Sequence, residues 1–201
     1  MLRPTILAAC AALALPAFAQ VSLDEIDAAA DAMDTEMEEF RKRLNDPDPD
    51  RALAVLQLLI SKGDADQRRM AVRHGLQSTD RAIRATTLRA IFDAEPTLRV
   101  VVDPIDEEPT VHFANEVNRL GGVIDAEGAG SITFKVNGYK EEEACWTYSR
   151  YESCLLRMRG EAVSLWLGDS WGSYELNGSG QLEGEQAVKQ NLSKGVIDLS
   201  E

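Results

Sequence analysis

The sequence is poor in histidine, cysteine and basic residues. Its 201 residues include two His and three Cys, and 21 Lys and Arg stand against 34 Asp and Glu. The formal charge of −13 makes nucleic acid and anionic membranes poor partners, because they carry the same sign. No stretch beyond the N-terminal segment approaches the roughly 20 apolar residues that a membrane-spanning helix needs. We therefore predict no nucleic-acid partner and no membrane span.

Motifs for nucleotide binding, zinc binding and nucleophilic catalysis are also missing. The sequence has no glycine-rich phosphate loop and no Cys or His spacing typical of zinc sites. No motif places a Ser or Cys nucleophile beside His74 or His112. Asp46, Asp48 and Asp50 alternate as in a calcium loop, but two intervening prolines and the lack of the downstream Gly and Glu argue against one. We predict no cofactor and no metal ion.

The first nineteen residues are typical of a cleavable secretory signal. Arg3 precedes an apolar run from Ile6 to Leu15, and Ala17-Phe18-Ala19 provides small residues for cleavage before Gln20. We expect this segment to be removed and the mature protein to be periplasmic or secreted. Leu7-Ala8-Ala9-Cys10 also matches a lipoprotein cleavage box, an alternative that would leave no apolar segment upstream of the cut.

Removal of this segment leaves Cys145 and Cys154 as the only cysteines. An even number of cysteines in an exported chain favours a disulfide. The segment from Ala144 to Cys154 is typical of a β-hairpin centred on Ser149 and Arg150, in which Cys145 would face Cys154. We predict a disulfide between them that contributes about 2 kcal/mol to stability.

The N-terminal part of the mature chain has helical periodicity. Apolar residues recur at steps of three and four from Leu23 to Leu44, and Ser22 with Glu25 suits a capping box at the start. The segment from Asn45 to Asp50 contains two prolines and ends this helix. A repeat follows, in which residues 64–73 align with residues 80–89 so that Asp lies over Asp and Arg over Arg.

This repeat resembles the HEAT-like helical repeats, whose second helix often carries Asp, an apolar residue and Arg at the spacing of Asp80, Ile83 and Arg84. The resemblance covers residues 48–94. It implies stacked helices with a protein-binding surface, and structural roles for Asp80 and Arg84. A stack of so few helices must be covered by other elements at both ends. We expect the N-terminal helix to cover one end and the C-terminal half to cover the other. We predict a helical domain over residues 20–102.

From Val123 onward the hydrophobic period changes to two. Successive segments of strand length are separated mostly by Gly, Asn or Asp. An acidic, proline-containing connector with room for a short helix occupies residues 103–122. We predict an α+β fold, with a short helical-repeat block followed by a disulfide-tied antiparallel β meander, sheet or barrel over residues 123–201.

Alternation divides the strand residues into two faces. The residues of the first face are mostly apolar, and we predict that they form a core. They are Ile132, Phe134, Val136, Cys145, Cys154, Leu156, Met158, Val163, Leu165, Leu167, Tyr174 and Leu176. The second comprises Trp146, Tyr148, Leu155, Arg157, Trp166, Trp171 and Glu175. From it we take a candidate binding surface of Trp146, Tyr148, Arg157, Trp166 and Trp171, since aromatic rings beside polar groups suit a peptide or a sugar. The alternative is that this face packs on the helices or closes a second core layer.

The favoured function is non-enzymatic: an exported binding or adaptor protein of the cell envelope that recognises a protein or a glycan. The alternative is a small carbohydrate-active hydrolase using two acids among Glu141, Glu143, Asp169 and Glu175. An aromatic cleft with two facing carboxylates would favour the enzyme. An aromatic face without such a pair would favour binding.

The compartment can be tested by mass spectrometry of the periplasmic or secreted fraction. We expect Gln20 as the mature N-terminus and no free thiol, because the signal would be cleaved and both remaining cysteines oxidised. An intact Met1 on a cytosolic protein with free thiols would contradict this. Lipid on Cys10 would instead place the protein at the membrane surface.

Overall fold

The computed structural model describes residues 21–105, 109–148, 153–189 and 191–199. The predicted signal segment, residues 1–19, and the predicted hairpin centre at Ser149 and Arg150 lie outside the described residues. Within the described ranges, no helix is long and apolar enough to cross a membrane.

Four of the described helices precede the first strand and a fifth follows it, which confirms the predicted α+β class. The helices of the described residues are α1 (Leu23–Leu44), α2 (Pro49–Lys62), α3 (Ala65–Leu76), α4 (Arg81–Asp93) and α5 (Val111–Arg119). The strands of the described residues are β1 (Thr97–Pro104), β2 (Val123–Ile124), β3 (Gly130–Lys140), β4 (Cys145–Tyr148), β5 (Cys154–Arg159), β6 (Ala162–Leu167), β7 (Ser170–Leu176), β8 (Gln181–Val188) and β9 (Asn191–Asp198).

Two compact units, Met1–Glu38 and Glu39–Glu201, divide the chain within α1. In the first unit, the predicted capping box is present. The Ser22 amide donates to the Glu25 carboxylate over 2.8 Å, and the Glu25 amide donates to the Ser22 hydroxyl over 3.2 Å. The bond from the Ser22 amide lowers the pKa of Glu25. The last residues of α1 belong to the second unit. Among them, Leu44 is buried in the hydrophobic core of that unit.

The aspartates of the predicted repeat are helix caps. The side chains of Asp48, Asp64 and Asp80 accept backbone N–H groups at the starts of α2, α3 and α4. At Asp64 the cap is a complete capping box, because Gln67 accepts the Asp64 amide in return over 3.2 Å. Gln67 thus has a local structural role at the start of α3. Helices α2, α3 and α4 pack on one another, while their HEAT-like character stays a prediction.

The sheet closes into an antiparallel barrel. Its strand order is β1-β9-β8-β7-β6-β5-β4-β3-β2, and β1 also pairs with β3. Val100 of β1 lies opposite Ile197 of β9 on one side and opposite Ile132 of β3 on the other. Because β2 adds only Val123 and Ile124 beside β3, eight strands form the closed barrel.

The sheet begins earlier in the chain than predicted. We assigned residues 97–102 to the helical domain, but Thr97–Pro104 is a strand with alternating burial, in which Leu98, Val100 and Val102 face inward. The connector assigned to residues 103–122 contains the helix α5, whose Phe113 and Val117 are buried. Its pairing partners, β3 and β9, lie far away in the chain, so no adjacent hairpin indicates this strand from sequence.

The predicted core face lines the barrel interior. Besides Cys145, eight of its members are at most 3% exposed: Ile132, Phe134, Val136, Leu156, Val163, Leu165, Leu167 and Tyr174. Cys145 is also buried, whereas Cys154, Met158 and Leu176 are half-buried. Period-two alternation therefore identified most of the interior from sequence alone.

Polar side chains also lie inside the barrel, and glycines make room for them. The Tyr174 hydroxyl donates to Gln186 Oε1 over 3.3 Å, and burial raises the pKa of Tyr174. A Cβ at Gly195 would lie 2.3 Å from the Tyr174 hydroxyl, and one at Gly172 would lie 2.1 Å from Gln186 Oε1. These two positions therefore accept no larger side chain without displacing the buried tyrosine or glutamine.

Two glycine substitutions test the close packing of β7 and β8. A Cβ at Gly184 would lie 1.9 Å from the Ser173 carbonyl oxygen, whereas a Cβ at Gly178 has nothing within 4 Å. We expect Gly184→Ala to lower the free energy of unfolding by about 1–3 kcal/mol, since the strands must separate. We expect Gly178→Ala to change it by less than about 0.5 kcal/mol. Urea denaturation followed by circular dichroism measures both, and equal stabilities would contradict the described strand contact.

Candidate functional site

The disulfide between Cys145 and Cys154 is confirmed, with a Cα–Cα distance of 5.6 Å. The predicted register of its hairpin is wrong. Thr147 pairs with Cys154 and Trp146 pairs with Leu156, with a register shift between these pairs. An irregularity of this kind changes which side chains face inward.

The shift matters most for Trp146, which was predicted to lie on an accessible surface. Its side chain is only 1% exposed. Its indole Nε1 donates to Asp93 Oδ1 over 2.9 Å, and its ring packs edge-to-face on Phe92 and Tyr139 at centroid distances of 5.2 and 4.8 Å. The Arg89 guanidinium covers the Tyr139 ring at 4.6 Å. Trp146 therefore packs against α4, and its assignment to an accessible surface is wrong.

Tyr148 belongs to the packed part of the same face. It is half-buried, and its ring meets that of the core residue Phe134 edge-to-face at 5.7 Å. The alternative that the aromatic face packs on other elements is thus correct for Trp146 and largely correct for Tyr148.

The remaining three residues of the candidate surface come together on the outside of the barrel. Trp166 of β6 lies directly opposite Trp171 of β7, and they are 37% and 38% exposed. Their rings meet edge-to-face at 5.4 Å and 61°. The guanidinium carbon of Arg157 on β5 lies 4.7 Å from the centre of the Trp171 ring. We call Trp166, Trp171 and Arg157 the Trp–Arg patch.

Strand alternation positions the Trp–Arg patch. Leu165 and Leu167 point into the barrel, so Trp166 between them points outward. Beside the tryptophan pair, the short side chains Ser164 and Ser173 face each other across β6 and β7. The rings therefore have small neighbours along their own strands, which leaves them accessible on that side.

Lysines engage two of the four acids named for the alternative hydrolase, Glu143 and Asp169. Glu143 pairs with Lys140, which lowers the pKa of Glu143, whereas a general acid needs a raised pKa. Asp169 lies 3.2 Å from the Lys189 ammonium, which also contacts the buried Glu116. Glu141 is exposed in the turn before β4. A metal role for Glu143 with the nearby cysteines is disfavoured, because both sulfurs are in the disulfide.

Sequence reasoning missed a charged cleft on the same unit. The α3–α4 connection and two turns of the barrel enclose about 800 Å³. Its charged lining residues are Arg81, Arg84, Glu161 and Glu175. Arg84 binds Glu161, which lies 77 positions later in the chain, so no local spacing indicates the contact. Arg84 also donates to the Ser78 carbonyl in the α3–α4 connection, so one side chain contacts both the helical block and the barrel.

Comparisons with known protein families, characterised proteins and solved structures found no significant match to this chain. The class of protein is therefore stated from its own structure. It is an α+β chain in which four of the described helices precede a closed, disulfide-tied antiparallel barrel with an exposed pair of tryptophans.

The different environments of the tryptophans can be tested by substitution. We expect Trp146→Ala to lower the free energy of unfolding by about 3–5 kcal/mol, because it empties a packed site and removes the indole hydrogen bond to Asp93. We expect Trp171→Ala to cost at most about 1 kcal/mol. Urea melts followed by far-UV circular dichroism compare the two variants. A similar loss in both would show that Trp171 contributes to packing as Trp146 does.

Proposed function

We propose that this chain is an exported, non-enzymatic binding protein of the cell envelope, and that the Trp–Arg patch recognises a protein partner. The observation that carries the proposal is the exposed cross-strand pair of Trp166 and Trp171 with Arg157 on the Trp171 ring. Large aromatic side chains are usually buried, so two adjacent exposed tryptophans are informative about function.

The patch is organised before any partner arrives. The edge-to-face contact and the cation–π contact hold the rings and the guanidinium in place. Side chains that are already ordered lose less conformational entropy on binding, which raises affinity for a given contact area. The closed barrel provides a rigid support for all three residues.

The geometry favours a protein over a glycan. The Trp166 and Trp171 rings are inclined at 61° and so do not form one flat platform, and Arg157 covers a face of Trp171. Trp and Arg are the residues most enriched among those that dominate protein–protein binding energy. Arg157 also adds a local positive charge to an acidic chain, which suits a carboxylate on the partner.

Two further features support export. The disulfide between Cys145 and Cys154 is of the kind that persists in oxidising compartments. The N-terminal segment has the charge, apolar run and small residues of a secretory signal. The hydrolase alternative has less support, because lysines engage Glu143 and Asp169.

The proposal is tested by affinity capture from envelope extract, followed by measurement of the dissociation constant for each identified protein. We expect Trp166→Ala, Trp171→Ala and Arg157→Ala each to weaken binding by about 2 kcal/mol or more, because residues of this type dominate interfaces. All variants should keep the fold, as checked by circular dichroism.

Matched controls are available on the same barrel. Arg159→Ala removes another exposed arginine of β5, and Leu192→Ala removes an apolar side chain of β9 that is 47% exposed. Both should bind the partner normally. Equal binding by the patch variants and the controls would refute the proposal, and capture of a glycan alone on an array would change the partner class.

A further inference from the structure

The charged cleft is separate from the Trp–Arg patch and has the size of a ligand site. It lies where the connection between α3 and α4, residues 77–80, approaches the turns that follow β5 and β7. Its volume of about 800 Å³ falls in the range of small-molecule pockets, roughly 300–1,000 Å³. Both walls belong to the second compact unit.

The floor of the cleft is a fixed, neutral ion pair. Arg84 donates to Glu161 through Nε and to the Ser78 carbonyl through another guanidinium nitrogen. The Arg84 and Glu161 side chains are 22% and 23% exposed, so the pair is largely withdrawn from solvent. Hydrogen bonding to Glu161 raises the pKa of Arg84, which keeps it charged. These contacts preform the site without giving it a net charge.

The rim of the cleft carries one cation and one anion on different walls. Arg81, on the helical wall, is 88% exposed, and its Nε lies 3.7 Å from a Glu161 carboxylate that Arg84 already binds. Such a long, exposed contact contributes little, so the Arg81 guanidinium can bind a ligand carboxylate. Glu175, on the barrel wall, is exposed, and its carboxylate has no hydrogen bond or ion pair within the part of the chain that the structure describes.

Apolar side chains complete the lining. Leu76 from the end of α3 and Leu176 from the end of β7 contribute from opposite walls, and Ala162 lies at the start of β6. These groups offer contact to an apolar side chain between the two rim charges.

We propose that this cleft binds a short peptide with free termini. Its C-terminal carboxylate binds Arg81, its N-terminal ammonium binds Glu175, and an apolar side chain contacts Leu76 and Leu176. Two arginines and two glutamates give the lining no net charge, so a simple anion or cation meets repulsion as well as attraction. A ligand with both charges satisfies both rim residues, and the volume exceeds what one amino acid fills.

Calorimetric titration of the oxidised protein with tripeptides of varied apolar central residue tests the proposal. Each tripeptide is used in four forms: free, N-acetylated, C-amidated and blocked at both ends. We expect free tripeptides to bind, and each single block to weaken binding about tenfold or more, because it removes one ion pair. Arg81→Gln should abolish the effect of amidation, and Glu175→Gln should abolish the effect of acetylation.

Matched controls are Arg51→Gln on α2 and Glu185→Gln on β8, which are exposed but do not line the cleft. Both should bind as the unmodified protein does. The proposal is overturned if no free tripeptide binds up to about 10 mM, if blocked forms bind equally well, or if Arg81→Gln and Glu175→Gln behave like the controls. Trp171→Ala should leave peptide binding unchanged, so failure here is distinguishable from failure of the Trp–Arg patch.

Discussion

Closure of the sheet depends on one strand, Thr97–Pro104, whose two edges pair with β9 and with β3. This strand follows α4 after a short connection, so the element that closes the barrel also tethers the helices to it. Closure encloses an interior that is already filled by aliphatic side chains and by the Tyr174–Gln186 pair. The two binding sites proposed above accordingly lie on the outer surface and at the junction between helices and barrel.

Helix α4 is fastened to the barrel near both of its ends. Near its start Arg84 binds Glu161, and at its last residue Asp93 accepts the Trp146 indole N–H. The two contacts use side chains from different turns and strands of the barrel, so together they fix the direction of the helix across it. Trp146 thus links α4 to the barrel, whereas Trp166 and Trp171 lie on the outer surface of the barrel and are accessible to solvent.

Periodicity and cysteine parity predicted much of this structure, and the failures have identifiable causes. Alternation placed Leu165 inside and Trp166 outside correctly, because β6 is a regular strand. It failed at Trp146 because strict alternation cannot anticipate a register shift within a hairpin. The cleft escaped notice because Arg81 and Glu175 belong to elements that only the tertiary fold brings together.

The closed sheet has a further consequence for how any partner is recognised. Each strand of the eight-stranded circuit is paired with neighbours on both sides, and among the described strands only the short β2 lies outside that circuit. A partner therefore cannot extend the circuit by backbone pairing, the mode in which many sheets capture extended peptides with little regard to sequence. If the chain binds as proposed, recognition rests on individual side chains rather than on backbone pairing, and single substitutions can change the ligand without rebuilding the barrel.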